Sequence, residues 1–296
     1  MRSLQLIKRV VAVVTSVICL GSIAACGNTS SNNTSSEKIN VVSSVNQWGS
    51  LAQELGGDNV QVTNILNNVN VDAHDYEPTS GDIAKISSAQ LVVVNGGHYD
   101  EWAAKAAKNS QATFIDVADE ISLDHDANSH LWFYAKARKA FAKSLTEAYK
   151  KIKSEKSSSF DNLYAQWEQK EQALEDTIEH THAMLDHANY AATESVVEYL
   201  MNEIGVEDKT PTGYKQAAAN ESEPSASDIN EFIAVIKNGS LKFLVVNTQE
   251  ENNTTAQLIK AAKEANVPIV EVSEQKPEQY KNIYDWLTAI VNEIHA

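Results

Sequence analysis

The chain has very little cysteine, and what it has is confined to one end. Its 296 residues include two cysteines, Cys19 and Cys26, and both lie close to the N-terminus. The rest of the chain therefore has no thiol with which to form a disulfide or a thiolate metal site. Any metal ion bound there would need histidine, aspartate, glutamate or water as its ligands.

Glycine, proline and basic residues are scarce as well. The 11 glycines and 5 prolines are too few for a low-complexity or collagen-like chain, and no repeat period is visible. The 24 basic residues face 40 acidic ones, giving a net charge of −16, so we expect no nucleic-acid partner. The motifs H-E-x-x-H, G-x-S-x-G and the phosphate-binding loop are also absent, and we expect no enzyme.

The N-terminal segment predicts secretion and lipid attachment. Three basic residues precede an apolar run over residues 10–25, which is shorter than the ~20 residues of a membrane span. This pattern is typical of a signal-peptide core. The run ends in Ile23-Ala24-Ala25-Cys26, which resembles the bacterial lipobox, where the cysteine becomes the lipidated N-terminus. An ordinary signal peptide, with Cys26 incidental, is the alternative.

We therefore predict a lipoprotein signal peptide over residues 1–25 and a flexible tether over residues 26–37, where serine, threonine and asparagine predominate. Lipidation of Cys26 would hold the secreted protein at the outer face of the bacterial cytoplasmic membrane.

Strands and helices alternate along both halves of the chain. The expected strands are residues 39–43, 60–66, 91–94 and 113–117, and then 190–193, 243–246 and 269–272. Helices are expected between them, including one over residues 194–204. This order is typical of mostly parallel sheets flanked by helices.

The middle of the chain has a different pattern. A helix is expected over residues 134–153, an interruption over residues 156–159, and one long helix from residue 160 to about 183. We predict two α/β lobes, residues 38–159 and 187–296, joined by a rigid linking helix over residues 160–186. One continuous domain with a central helix is the alternative.

Several segments resemble one known family. The sequence Ala-His-Asp-Tyr-Glu-Pro-Thr over residues 73–79 is similar to the P-H-x-Y-E-P-T segment of receptors for zinc and manganese ABC importers. That family includes zinc-uptake proteins, the pneumococcal surface adhesin and the treponemal receptor. Further similar segments are residues 89–97, 129–132, 191–195, 243–249 and 268–274. The resemblance implies the two-lobed fold of the cluster A-I binding proteins.

The resemblance also implies four metal ligands: His74, His130, Glu194 and Glu274. Each follows an expected strand end, where ligands gather in open α/β sheets, and each lobe supplies two of them. Imidazole and carboxylate groups suit Mn²⁺ or Zn²⁺. The implied function is capture of the ion outside the cell and delivery to the permease of an ABC importer.

Each candidate ligand has a less specific explanation. His74 could be a surface turn residue, and Glu194 could be an acid that stabilises a helix N-terminus. His130 follows Ser129 where the family has proline, and Glu274 has Glu271 close by.

The remaining histidines are mostly expected at the surface. His180, His182 and His187 lack the spacing of four that places two ligands on one helix face. His98 stands where related sequences often have glycine, so a role at the site is left open. His125 lies in Asp124-His125-Asp126, a stub of the histidine-rich loop of many zinc receptors.

That short stub, with two carboxylates in the ligand set, favours manganese as the cargo, although a site of two imidazoles and two carboxylates would bind zinc more tightly in solution. A surface adhesin with a structural metal site is the alternative function, because the tether and anchor suit adhesion equally well. We expect a monomer in either case.

Overall fold

The computed structural model describes residues 38–71, 73, 76–185, 187–220, 222–250 and 252–295. The predicted signal peptide and the whole predicted tether up to residue 37, Cys26 included, lie outside these residues, and so does the candidate ligand His74. In the described part of the chain, none of the helices combines the length and the apolar character needed to cross a membrane.

Four parallel strands form the sheet of the first lobe, in the order β2-β1-β3-β4. They are β1 (Ile39–Val45), β2 (Val60–Leu66), β3 (Leu91–Val94) and β4 (Thr113–Asp116). The helices are α1 (Asn46–Gly56), α2 (Ser80–Ser88), α3 (Glu101–Lys108) and α4 (Val117–Glu120). Every residue of β3 is buried, because apolar clusters cover both faces of this sheet.

A tight turn follows β3 and leads towards α3. Gly96 in this turn has φ +74°, and a Cβ atom built on it would lie 1.9 Å from Asp116 Oδ1. Only glycine combines that backbone conformation with so close an approach. The turn therefore fixes how the chain leaves the carboxyl end of the sheet.

Two long helices follow the sheet of the first lobe, and the second of them leads into the second lobe. They are α5 (Ala135–Ile152) and α6 (Ser157–Leu185), with a short 3₁₀ turn at Ser154–Lys156 between them. At 1.5 Å per residue, the 29 residues of α6 span about 43 Å. The sequence predicted an interruption between the two helices at residues 156–159. The observed interruption lies three residues earlier, and Ser157 is already the first residue of α6. Serine suits a first helical turn, where backbone N–H groups have no partner within the helix.

The second lobe repeats the strand order of the first, β6-β5-β7-β8, again with all pairs parallel. Its strands are β5 (Asn189–Ala192), β6 (Glu207–Asp208), β7 (Leu241–Asn247) and β8 (Ile269–Val272). Its helices are α7 (Glu198–Ile204), α8 (Thr212–Ala219), α9 (Ala226–Lys237), α10 (Asn253–Ala265) and α11 (Ile283–His295). The sequence did not predict β6 or α8. The predicted two-lobed α/β fold with a long linking helix is confirmed.

One expected helix begins later than its sequence pattern predicts. The helix expected over residues 194–204 starts at Glu198, and residues 193–197 form bends and turns. Glu194 therefore lies in a loop at the carboxyl end of β5, and the explanation of this residue as a helix N-terminal acid is wrong.

A single apolar cluster runs through both lobes and the linking helix. It includes the fully buried rings of Trp48 in α1, Phe141 in α5 and Phe160 in α6, together with Trp167 in α6 and Trp286 in α11. Burial of a large aromatic side chain contributes roughly 2–3 kcal/mol. The two lobes thus share a core and are not independent bodies joined by a flexible hinge.

Candidate metal centre

Loops that follow α4, β5 and β8 bring three side chains with metal-binding atoms together. His130 Nε2 lies 3.7 Å from Glu194 Oε1 and 3.8 Å from Glu274 Oε2. One ligand atom of each residue lies within 4.8 Å of the others, an arrangement that no other group of such side chains in the described residues has. His130 comes from the first lobe and the two glutamates come from the second, so the site spans the cleft between them.

Asn128 orients the imidazole of His130. Asn128 Oδ1 accepts a hydrogen bond from the backbone N–H of His130 at 2.9 Å and lies 2.8 Å from His130 Nδ1. Asn128 Nδ2 donates to the carbonyl oxygen of Ser195 at 2.6 Å, which assigns Oδ1 as the oxygen. An amide oxygen only accepts, so Nδ1 of the neutral ring carries the proton. The lone pair of Nε2 then faces the two carboxylates, as in a histidine that binds a metal.

Glu274 is held on both of its carboxylate oxygens. The hydroxyl of Tyr99 donates to Oε2 at 2.7 Å, and Asn247 Nδ2 donates to Oε1 at 3.0 Å. The backbone N–H of Glu274 donates to Gln249 Oε1 at 2.7 Å. With 4% of its side chain exposed, Glu274 is a buried carboxylate whose position is fixed by donors from both lobes.

Glu194 is the most accessible of the three side chains, with 19% of its surface exposed. It follows Thr193 at the end of β5, next to β7 in the sheet. Asn247 Nδ2 donates to Glu194 Oε2 at 2.6 Å, which leaves Glu194 Oε1 as the oxygen that faces His130. The same amide group therefore contacts both candidate carboxylate ligands.

The spacing of these atoms fits a divalent ion. The His130–carboxylate distances of 3.7 and 3.8 Å are longer than a normal hydrogen bond, which is about 2.7–3.2 Å. Two ligands that each lie about 2.1 Å from one ion at a tetrahedral angle are about 3.4 Å apart. The two carboxylates would offset the charge of a dication, and the imidazole would supply a softer nitrogen donor.

Aromatic rings enclose the imidazole on the side of the first lobe. The ring centroids of Tyr99 and Trp132 lie 5.9 and 5.4 Å from that of His130, both in edge-on geometry. His130 is buried as a result. Charges attract more strongly in such a low-dielectric environment than in water, which favours an ion between two carboxylates.

The structure thus brings together three of the four ligands that the sequence implied. The fourth, His74, and the predicted lipid-bearing Cys26 lie outside the described residues. Sequence reasoning missed the supporting roles of Asn128, Tyr99 and Asn247. The one signal in the sequence for Asn247 was its position at the end of the apolar run of β7, since a polar residue at a strand end often faces a ligand.

None of the other histidines that the structure describes belongs to this group. The rings of His98 and His125 pack against each other with centroids 4.5 Å apart, and each Nδ1 faces a neighbouring carboxylate. Both side chains are largely exposed. His180 and His187 are exposed as expected, but His182 is half-buried, with Nδ1 2.8 Å from the carbonyl oxygen of Ile204.

Comparisons with known proteins agree with this picture. The chain is 22% identical over 250 residues to the high-affinity zinc uptake system protein ZnuA of Bacillus subtilis, covering 76% of this chain and 77% of that protein. It is 23% identical over 309 residues to a putative metal-binding protein of Treponema pallidum, covering 97% and 95% of the two chains.

Among solved structures, the periplasmic zinc binding protein TroA from Treponema pallidum has the same fold. It superposes with a TM-score of 0.73 over 87% of this chain and 98% of TroA, at 19% sequence identity. The family model of ZnuA, the periplasmic component A of the zinc-uptake complex, matches residues 41–296. That match covers both lobes and the linking helix, and the chain therefore belongs to the ZnuA family.

Proposed function

We propose that this protein is an extracytoplasmic receptor that binds Zn²⁺ or Mn²⁺ and delivers the ion to the permease of an ABC importer. The observation that carries the proposal is the convergence of His130 Nε2, Glu194 Oε1 and Glu274 Oε2 across the cleft. The ZnuA family membership supports it and favours a receptor over the alternative of an adhesin. His74 is proposed as the fourth ligand.

The proposal extends to the rest of the chain. We propose that residues 38–159 and 187–296 act as the metal-binding lobes of a monomer and residues 160–186 as a rigid link. The site serves binding and transfer, without an enzymatic reaction. Membership of the ZnuA family and the absence of sequence motifs for hydrolysis support this part of the proposal.

Calorimetry with single variants tests the site. His130→Ala and Glu194→Ala each remove a proposed ligand, and Glu194→Ala also leaves the dication with less compensating charge. We expect each to weaken Zn²⁺ and Mn²⁺ binding by more than about 100-fold, because loss of a supporting contact alone costs 10–100-fold.

His180→Ala is the matched control, because this exposed histidine lies on α6 away from the cleft. Its affinity for both ions should equal that of the parent protein. Unchanged binding by all three variants would contradict the proposed receptor function.

Attachment to the membrane is a separate prediction. Because Ile23-Ala24-Ala25-Cys26 resembles a lipobox, Cys26→Ala should prevent lipidation and release the protein from the membrane. Fractionation of cells should find the variant in the medium, or in the soluble extracytoplasmic fraction, and the parent in the membrane. A variant that stays in the membrane fraction would show that Cys26 is not the anchor.

A further inference from the structure

Asn247 lies at the carboxyl end of β7 with no exposed surface, directly between the two candidate carboxylate ligands. Its Nδ2 group donates one hydrogen bond to Glu194 Oε2 at 2.6 Å and one to Glu274 Oε1 at 3.0 Å. An amide nitrogen has two hydrogens, so both are used. One buried side chain thus holds one oxygen of each glutamate.

The orientation of this amide is fixed by its other contacts. Asn247 Oδ1 accepts from the backbone N–H of Gln249 at 3.0 Å, and the backbone N–H of Asn247 donates to Thr193 Oγ1 at 3.1 Å. If the amide were turned over, its nitrogen would face an N–H donor and its oxygen would face two carboxylates. The hydrogen-bond network therefore assigns the donors to the carboxylates.

The oxygens that face His130 are the other two, Glu194 Oε1 and Glu274 Oε2. Each carboxylate therefore has one oxygen directed towards the ion position and one directed towards Asn247. To chelate an ion through both oxygens, a carboxylate would have to rotate, which would turn its second oxygen out of line with the amide N–H. A buried N–H group without a well-placed acceptor would remain, which is unfavourable.

This division of oxygens affects which metal the site prefers. Carboxylates that each give one oxygen keep the number of ligands low, and four-coordinate geometry suits Zn²⁺. Mn²⁺ is typically bound with more oxygen ligands in octahedral geometry. Chelating carboxylates would supply those additional oxygens, and Asn247 opposes them.

We propose that Asn247 is a positioning residue that determines metal specificity: by holding one oxygen of both Glu194 and Glu274, it keeps the two carboxylates monodentate and favours Zn²⁺ over Mn²⁺. The inference rests on the proposed metal receptor function. It also shifts the expected cargo from the manganese favoured by the sequence towards zinc.

The test compares the purified parent protein with Asn247→Ala and Asn247→Leu. Asn247→Ala removes both donors without adding charge. Asn247→Leu also removes both donors and nearly keeps the side-chain volume, so it covers the case in which the cavity in Asn247→Ala prevents folding. Competition calorimetry gives the ratio of Mn²⁺ to Zn²⁺ dissociation constants, and the visible absorption of bound Co²⁺ reports coordination number, since four-coordinate Co²⁺ absorbs most strongly.

We expect the zinc preference to fall by about 10- to 100-fold in both variants, the usual effect of removing a group that supports a metal ligand. Bound Co²⁺ should absorb strongly in the parent and weakly in the variants. Thr248→Val is the matched control. It removes the hydrogen bond from Thr248 Oγ1 to the Val272 carbonyl oxygen, 3.0 Å long, at the same strand end without touching the carboxylates. The preference of this control for Zn²⁺ over Mn²⁺ and its Co²⁺ spectrum should match those of the parent.

The outcomes separate the two proposals. Folded variants that bind both ions with the parental ratio and the parental Co²⁺ spectrum would overturn the role of Asn247 while leaving the receptor function intact. A parent protein that binds none of the three ions would overturn the receptor function and this inference with it.

Discussion

At the scale of single residues, Asp100 is a carboxylic acid with no exposed surface, just before α3. Burial raises the pKa of Asp100 to about 6, although hydrogen bonds from the N–H groups of Asn95 and Gly96 favour the charged form. In an unfolded chain an aspartate titrates near ~3.9. Because the folded pKa is the higher one, the stability from this group is complete below about pH 4 and is lost as the pH rises through about 6.

Asp100→Asn should remove this dependence, because an amide does not ionise. We expect the free energy of unfolding of the parent, relative to the variant, to fall by on the order of 3 kcal/mol between pH 4 and pH 7. Urea denaturation across that range measures the difference. Asp126→Asn changes a fully exposed aspartate, so its free energy of unfolding should depend on pH as that of the parent does. Parallel profiles for the parent and Asp100→Asn would contradict the argument.

The sequence could identify candidate ligands but not the residues that hold them. Glu194 and Glu274 follow strand ends, and His130 lies in the loop after α4. All three match segments of a known family, so pattern and chemistry coincide. Asn128 and Asn247 act through hydrogen bonds to those ligands, and such contacts depend on tertiary positions far apart in sequence.

At the scale of secondary structure elements, a buried ion pair joins α5, α6 and α11. Arg138 on α5 donates from Nη2 to Glu171 Oε1 on α6 at 2.8 Å and from Nη1 to the carbonyl oxygen of Trp132 at 2.9 Å. Tyr284 on α11 donates to Glu171 Oε2 at 2.9 Å. Burial disfavours the charged guanidinium, but the Glu171 carboxylate outweighs it and raises the pKa of Arg138.

Glu171→Ala should lower the free energy of unfolding by roughly 3–5 kcal/mol, because it leaves a buried guanidinium without its partner. Arg138→Met combined with Glu171→Leu should cost less than the sum of the two single changes. Urea denaturation of all variants gives the coupling. The exposed pair Lys237–Glu264, 3.1 Å apart, is the control, and its removal should change the free energy of unfolding much less. Additive effects at Arg138 and Glu171 would contradict the interpretation.

Element boundaries show where sequence patterns lose information. β2 and β3 have the predicted limits, since turn residues and apolar periodicity change together there. The sequence pattern placed the start of α7 too early, because the residues before Glu198 are also compatible with a helix. In the folded chain they form a loop at the end of the sheet, beside the cleft. The two-residue strand β6 is too short to have a pattern of its own.

At the scale of the whole molecule, hydrogen bonds cross the cleft beside the site. Asn46 Nδ2 donates to the Lys276 carbonyl oxygen at 2.8 Å, and Tyr99 and Asn128 contact Glu274 and Ser195. The shared core and α6 oppose a rotation of the lobes. The two-lobed architecture itself followed from the alternation of strands and helices, but the sequence did not predict this shared core, because apolar periodicity does not say which helices meet.

We therefore predict that metal binding changes the relative position of the lobes by less than about 2 Å, the usual limit for preorganised binding surfaces. The body of the chain has no cysteine, so spin labels can be attached at Lys105→Cys and Lys263→Cys, exposed positions on α3 and α10, in a Cys26→Ala background. The distance between the two labels, measured by pulsed electron paramagnetic resonance, should be the same with and without Zn²⁺. A shift of many ångströms would mean that the lobes rotate as rigid bodies.

The common strand order of the two sheets has a consequence for affinity. Asn95 follows β3, the third strand of its sheet, and donates to the Ser129 carbonyl oxygen at 2.8 Å beside His130. Asn247 ends β7, the third strand of the other sheet, and holds the two glutamates. Each lobe thus presents a half-site, as two subunits would in a dimer. Because the linking helix and shared core already hold the half-sites together, the second half binds at a high effective concentration, and weak ligands from each lobe can combine into one tight site.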